Sequence, residues 1–213
     1  MSKEKIVLLG TGGHASCILD ILQEMDCYEI IGATTLNMKK GESFYGIPVL
    51  GDDSVLPELQ RSGIRSVAIG IGGFINNDHR KAVFEKTKNM GFTIVSAIDP
   101  RAIISRTARI GEGSAIFPGV VVHTGVALGV NCIIYPGSSV SHQTVVGDHV
   151  LISCGVTVGA NAAVGDMSLL ALGSSVVSGV VVGKNCVVAA GGVVIGNIPD
   201  GLKVFGVPAK PKA

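Results

Sequence analysis

The sequence has no tryptophan, an aromatic content of only 4%, and 15% charged residues. With a formal net charge of +1 and no run of Lys or Arg, it lacks the basic footprint of a nucleic-acid or membrane-surface protein. No apolar stretch approaches the ~20 residues of a bilayer span. The N-terminal run in MSKEKIVLLGTGG is too short for a secretory h-region. Five cysteines, an odd number without C-x-x-C spacing, exclude a disulfide framework and fit reduced thiols in a cytoplasmic protein; no metal set is expected. What remains is a chain with 30 glycines and 47% hydrophobic residues, far too apolar to be disordered.

The chain divides by period. Over residues 1–98, aliphatic runs alternate with helical patterns. Lys5–Leu9 reads as a strand, followed by Gly-Thr-Gly-Gly and a helix from His14 to Met25 with Ile18, Ile21 and Leu22 on one face. Strands are expected over Ile30–Ala33, Ser66–Ile71 and Phe92–Ile98, with helices over Asp53–Arg61 and Asp78–Asn89. Alternating strands and helices predict a small Rossmann-like α/β domain with a parallel sheet.

Residues 99–213 obey another rule. Starting at Ile98, every sixth residue through Val194 is Ile, Val or Leu, without exception. Two places before each, from 102 to 192, stands a short side chain. Gly111, Gly129, Gly147, Gly165 and Gly183 add a beat of eighteen. A hexapeptide period grouped in threes predicts a parallel β-helix of triangular coils, with the aliphatic and short positions inside and glycine at a corner turn. Cys132 and Cys186 fall on the short inward positions and are expected in the core.

These repeats, the GTGGHA loop opening the α/β half and the FGVPAK segment at Phe205–Lys210 resemble one family across essentially the whole chain. It is the family of sialic-acid O-acetyltransferases and nucleotide-amino-sugar N-acetyltransferases of bacterial glycan synthesis, which are left-handed β-helix acyltransferases. The resemblance implies a homotrimer that binds acetyl-CoA in a groove between neighbouring β-helices. It implies His142 of SHQTVVG as the base, with Gln143 where amino-sugar members carry Glu. Acetyl-CoA is expected against Leu151, Ala160, Leu172 and Ala190, although Leu151 stands where the family has a histidine. Gly12, Gly13, His14, Thr34, Thr35 and Gly70 are expected to hold the sugar nucleotide.

The residues themselves bear on these roles. An imidazole has an ordinary pKa of ~6.5, suited to accepting a proton from an attacking amine or hydroxyl. Thr124 and Ala160 stack one coil below and above His142, leaving room beside the ring. His123 is the reserve candidate, and His149, stacked between Asn131 and Met167, reads as structural. Cys154 could suggest an acyl-cysteine route, but no motif supports it. Gly10, Gly12 and Ala15 fit G-x-G-x-x-A between strand and helix, where backbone amides receive phosphates. The acid that reads the ribose in a dinucleotide fold is missing, since the second strand ends in Ala33-Thr34-Thr35, and NAD is disfavoured.

The reading is an acetyl-CoA-dependent acetyltransferase acting on the amine of a nucleotide-linked 4-amino sugar. Its rivals are O-acetylation of a sialic-type sugar and a non-catalytic β-helix scaffold.

Overall fold

The computed structural model describes residues 3–73 and 77–211. The α/β part runs β1 (Glu4–Leu9), α1 (Gly13–Met25), β2 (Tyr28–Thr34), β3 (Ser43–Phe44), β4 (Ile47–Gly51), α2 (Leu56–Arg61), β5 (Ser66–Ile69), α3 (Asp78–Asn89) and β6 (Thr93–Ile94). Its sheet has the order β3-β4-β2-β1-β5-β6. β1 lies near the centre with Ile6, Val7, Leu8 and Leu9 all buried, as a strand covered on both faces requires. Ala15, Ile18, Leu19, Ile21 and Leu22 form the buried side of α1.

Three expectations for the α/β part need correction. The sheet is mixed rather than parallel, because β3 pairs antiparallel with β4 through a two-residue turn. Tyr45 and Gly46 both have positive φ there, as a tight hairpin demands. The strand expected over Phe92–Ile98 is two strands in two sheets. Val95 N–H donates to Val67 O within the α/β sheet, whereas Ala97 N–H donates to Ser114 O in the coils. An apolar run records burial and not the partner, so the switch left no mark on it. Third, the helix expected over Asp53–Arg61 opens as a 3-10 turn, Asp53–Val55, before α2.

From Ala97–Ile98 onward, two-residue strands pair with those eighteen residues along, Ala97 with Ala115 and Ile116 with Ile134. Three stacks of such strands form the faces of a triangular prism. The sixth-residue aliphatics from Ile116 to Val194 are buried, and so are the short residues two places before. Polar short residues such as Ser138 and Ser168 are satisfied, Ser138 Oγ donating to Ser153 O at 2.7 Å and Ser168 Oγ to Gly183 O at 2.7 Å, whereas the buried Ser174 hydroxyl has no partner.

The glycine beat has a different cause from the one expected. Positive φ falls instead on every sixth residue from Gly113 to Gly191, a row that includes Asn131, Gln143, His149 and Met167. Gly129 is needed for close approach, because a Cβ there would lie 2.3 Å from Asp148 Oδ1 and 2.6 Å from the Gly147 carbonyl carbon. Stacked coils touch backbone to backbone at that corner.

The α/β part rests on one face of the prism and on the two corners beside it. Outward-facing Ala97, Ala115, Ile133 and Leu151 of that face are buried. At one corner Arg80 donates to Gly113 O (2.7 Å) and Asn77 Nδ2 to His149 O (3.0 Å). At the other, His14 packs against Phe117 and Tyr135. The third corner, carrying residues 105–107, 123–125 and 141–143, lies opposite that face. Six residues per side at no more than ~3.3 Å each put it on the order of 15 Å away.

Candidate active site

A cleft of about 890 Å³ opens at the C-terminal ends of β1, β2, β4 and β5. Gly12, Gly13, His14, Thr34, Thr35 and Gly70 all line it, so the structure brings the six expected sugar-nucleotide residues together. Gly10, at φ +105°, turns the chain sharply from β1 into the loop, and its N–H donates to Thr34 O at 2.8 Å. Gly12 caps α1 without any side-chain hydrogen bond, and the first turn carries no acid. The leading N–H groups and the positive end of α1 therefore face the cleft unneutralised, as an anion site requires. A Cβ at Gly13 would meet nothing within 4 Å, so the loop is bare toward the cleft. Gly70 is different: a Cβ there would lie 2.7 Å from the Ala15 Cβ, so helix and strand close on each other only without one.

His14 is the most perturbed group of the cleft. Its ring is wedged by Phe117 and Tyr135, with Nδ1 3.3 Å from Tyr135 Oη, and its Nε2 is buried without a partner. Burial, reinforced by the Arg80 guanidinium, holds the imidazole down to about 3. Arg80 is itself buried and donates to the carbonyls of Ile69 (3.0 Å) and Ile71 (2.7 Å) as well as Gly113. It ties the cleft wall to the β-helix. His14 is thus a neutral group at the helix start, not a cation for phosphate.

This has a consequence for stability. A histidine neutral when folded but protonated when unfolded below ~6.5 contributes stability that is complete above that pH and is lost as pH falls. Between pH 6.5 and 5 the loss should reach about 2 kcal/mol. Chemical denaturation of a His14→Gln variant should show a correspondingly flatter pH dependence, and an unchanged slope would refute the assignment.

His142 lies elsewhere. It sits on the corner opposite the α/β part, exposed, with no side-chain hydrogen bond, while its carbonyl accepts from Asn161 N–H. His123 is exposed on the coil below. Gln143, at φ 59°, folds its carboxamide over Gly125 and makes no hydrogen bond to His142. His149 is buried, bonded to Asn131 and edge-on to Phe84, in keeping with a structural role.

The expected acetyl-CoA residues divide. Ala160 is stacked above His142, whereas Leu172 (58% exposed) and Ala190 stack at the corner where Tyr135 meets His14. Leu151 is buried on the face that carries the α/β part, so its side chain offers no surface to a second substrate. All five cysteines are free; Cys132 is buried, which pushes its thiol up to about 12. Asp52, Asp53 and Lys86 also line the cleft and were not singled out from the sequence. No helix of the described residues is long and apolar enough to cross a membrane.

Residues 5–87 match the family described as the PglD N-terminal domain. No curated protein matches the chain. Among solved structures it is similar to a histidine-to-alanine mutant of GDP-perosamine N-acetyltransferase from Caulobacter crescentus in complex with CoA and GDP-perosamine. That likeness has 31% identity and a TM-score of 0.92 over all of this chain and 98% of the other. The acetyltransferase domain of PglB from Neisseria gonorrhoeae, in complex with acetyl coenzyme A, shows 28% identity and a TM-score of 0.90 over 99% of this chain and all of the other. A full-length match at this identity, with the hexapeptide coils and the GTGGH cleft in place, places the chain in the left-handed β-helix family of sialic-acid O-acetyltransferases and nucleotide-amino-sugar N-acetyltransferases.

Proposed function

We propose that the chain transfers the acetyl group of acetyl-CoA to the amine of a nucleotide-linked 4-amino sugar, with His142 as general base. The observation that carries this reading is the bare Gly10–Gly13 loop, whose backbone amides and helix terminus face the cleft with no acid to neutralise them. A nucleoside diphosphate needs such a cradle; a free sialic-type sugar does not. The structures bound to CoA and GDP-perosamine support the same class of substrates.

In this mechanism the neutral amine attacks the thioester carbonyl carbon. His142 accepts the amine proton as the carbon–nitrogen bond forms. The tetrahedral intermediate then expels the CoA thiolate, which takes up the proton from the imidazolium. His142 of one chain stands on the far corner from that chain's own cleft, so the base and the cleft of one site belong to two neighbouring chains of a homotrimer.

UDP or GDP should compete with the sugar substrate and not with acetyl-CoA in steady-state inhibition. Gly13→Val should raise the KM for the nucleotide sugar at least about tenfold and leave that for acetyl-CoA unchanged, because a branched side chain obstructs backbone approach to phosphate. If no nucleoside diphosphate competes, O-acetylation of a free sugar becomes the better reading.

A further inference from the structure

We propose that Asp53 reads the ribose diol of the nucleotide-linked substrate, an inference that rests on the nucleotide-sugar reading above. In a dinucleotide-binding fold this task belongs to an acid at the end of the second strand. Here β2 ends in Thr34, followed by Thr35, and neither can act as that acid. The structure supplies a carboxylate to the same spot from another strand. Thr34 pairs with Gly51 of β4, and the chain beyond Gly51 turns at once into the cleft. The Thr34 hydroxyl, on a fully buried residue, donates to Asp53 Oδ1 at 2.7 Å. That bond holds the carboxylate over the end of β2.

The opposite oxygen, Oδ2, lies 3.6 Å from Lys86 Nζ on α3, across the cleft wall. A carboxylate has about four acceptor positions. Thr34 takes one of these, Lys86 faces the other oxygen only as an ion pair, and the positions left suit the two hydroxyl donors of a vicinal diol. Asp52 also lines the cleft, but its Oδ1 accepts from the Ser54 N–H at the start of the 3-10 turn, whereas it is Asp53 that is bonded to the end of β2. The position also fits the other end of the ligand. β1, which carries the glycine loop, lies next to β2, so phosphates on the loop bring the attached ribose over the end of β2. Thr11 and Thr35, bonded to each other at 2.8 Å, close the space between the two.

The test is calorimetric binding of UDP and GDP, each beside its 2′-deoxy and 3′-deoxy form, to the full chain and to Asp53→Asn. Asparagine keeps the size and can still accept from Thr34, and CoA binding checks that the variant is assembled. The unmodified protein should prefer each ribonucleotide over its deoxy forms by about tenfold or more, as expected for hydrogen bonds to a charged acceptor. In Asp53→Asn, affinity for the ribonucleotides should fall by a similar factor and the preference should shrink toward one. A preference of one in the unmodified protein, or a preference kept in the variant, overturns the proposal while leaving the nucleotide-sugar reading intact. Failure of the unmodified protein to bind either diphosphate overturns both.

Discussion

Replacing His142 by alanine is expected to lower kcat for acetyl transfer by about 10²–10⁴-fold, the usual cost of losing a general base. The side chain is exposed and makes no hydrogen bond, so its removal leaves no buried group unpaired. Surface changes of this kind alter stability by no more than about 0.5 kcal/mol. The variant should therefore keep its assembly and its affinity for CoA, and the loss should appear in kcat with KM little changed. That separation is the point of the measurement, because a positional or folding defect would move both constants. A variant with near-full kcat would remove His142 from the mechanism and direct attention to His123, which is exposed on the same corner one coil below. Gln143 should matter less than its neighbour, since its carboxamide lies over Gly125 and not on the imidazole.

The repeat was legible because its cause is local. A side chain in a two-residue strand must point either in or out, and an eighteen-residue coil returns each position to the same place. Burial of Ile116, Val122 and their successors follows directly from this. The glycine cleft was legible for a similar reason, since strand, loop and helix are contiguous. What did not show is which face of the prism the α/β part covers. Ala115 and Ile133 on the covered face are apolar, but so are Ile103 and Val145 on the other two, where exposure is 68% and 54%. An apolar outward residue records that something packs on it, and the sequence does not distinguish the chain's own domain from another copy. Asp53 escaped notice because nineteen residues separate it from Thr34, and only the pairing of β2 with β4 makes them neighbours. The Arg80 stitch is similarly non-local: its partners are carbonyls, which every residue has.

The second large effect expected is rescue between two inactive variants. The cleft and His142 of one chain lie on opposite sides of the prism, roughly 15 Å apart or more by strand geometry. The expected acetyl-CoA contacts are divided in the same way, with Ala160 above His142 and Leu172 and Ala190 on a corner beside the α/β part. In the proposed homotrimer, closed threefold symmetry would bring one corner of each chain against a different corner of the next, so that every site would take its base from one chain and its cleft from another. The exposed apolar residues of the two uncovered faces are consistent with such packing, since a monomer would leave them as an unusually large patch. Light scattering should accordingly give about 65 kDa for three chains of 21.8 kDa. Take His142→Ala, which lacks the base, and Gly13→Val, which obstructs the cleft; each alone should assemble and, with the nucleotide sugar held well below its KM, retain no more than about a tenth of the activity. Co-expressed in equal amounts, they form mixed trimers in which about a quarter of the base–cleft pairs are intact at random assembly. Activity should return to about that fraction of the unmodified enzyme. If base and cleft came from the same chain, every site in the mixture would keep one of the two defects, and activity would not rise above that of Gly13→Val alone.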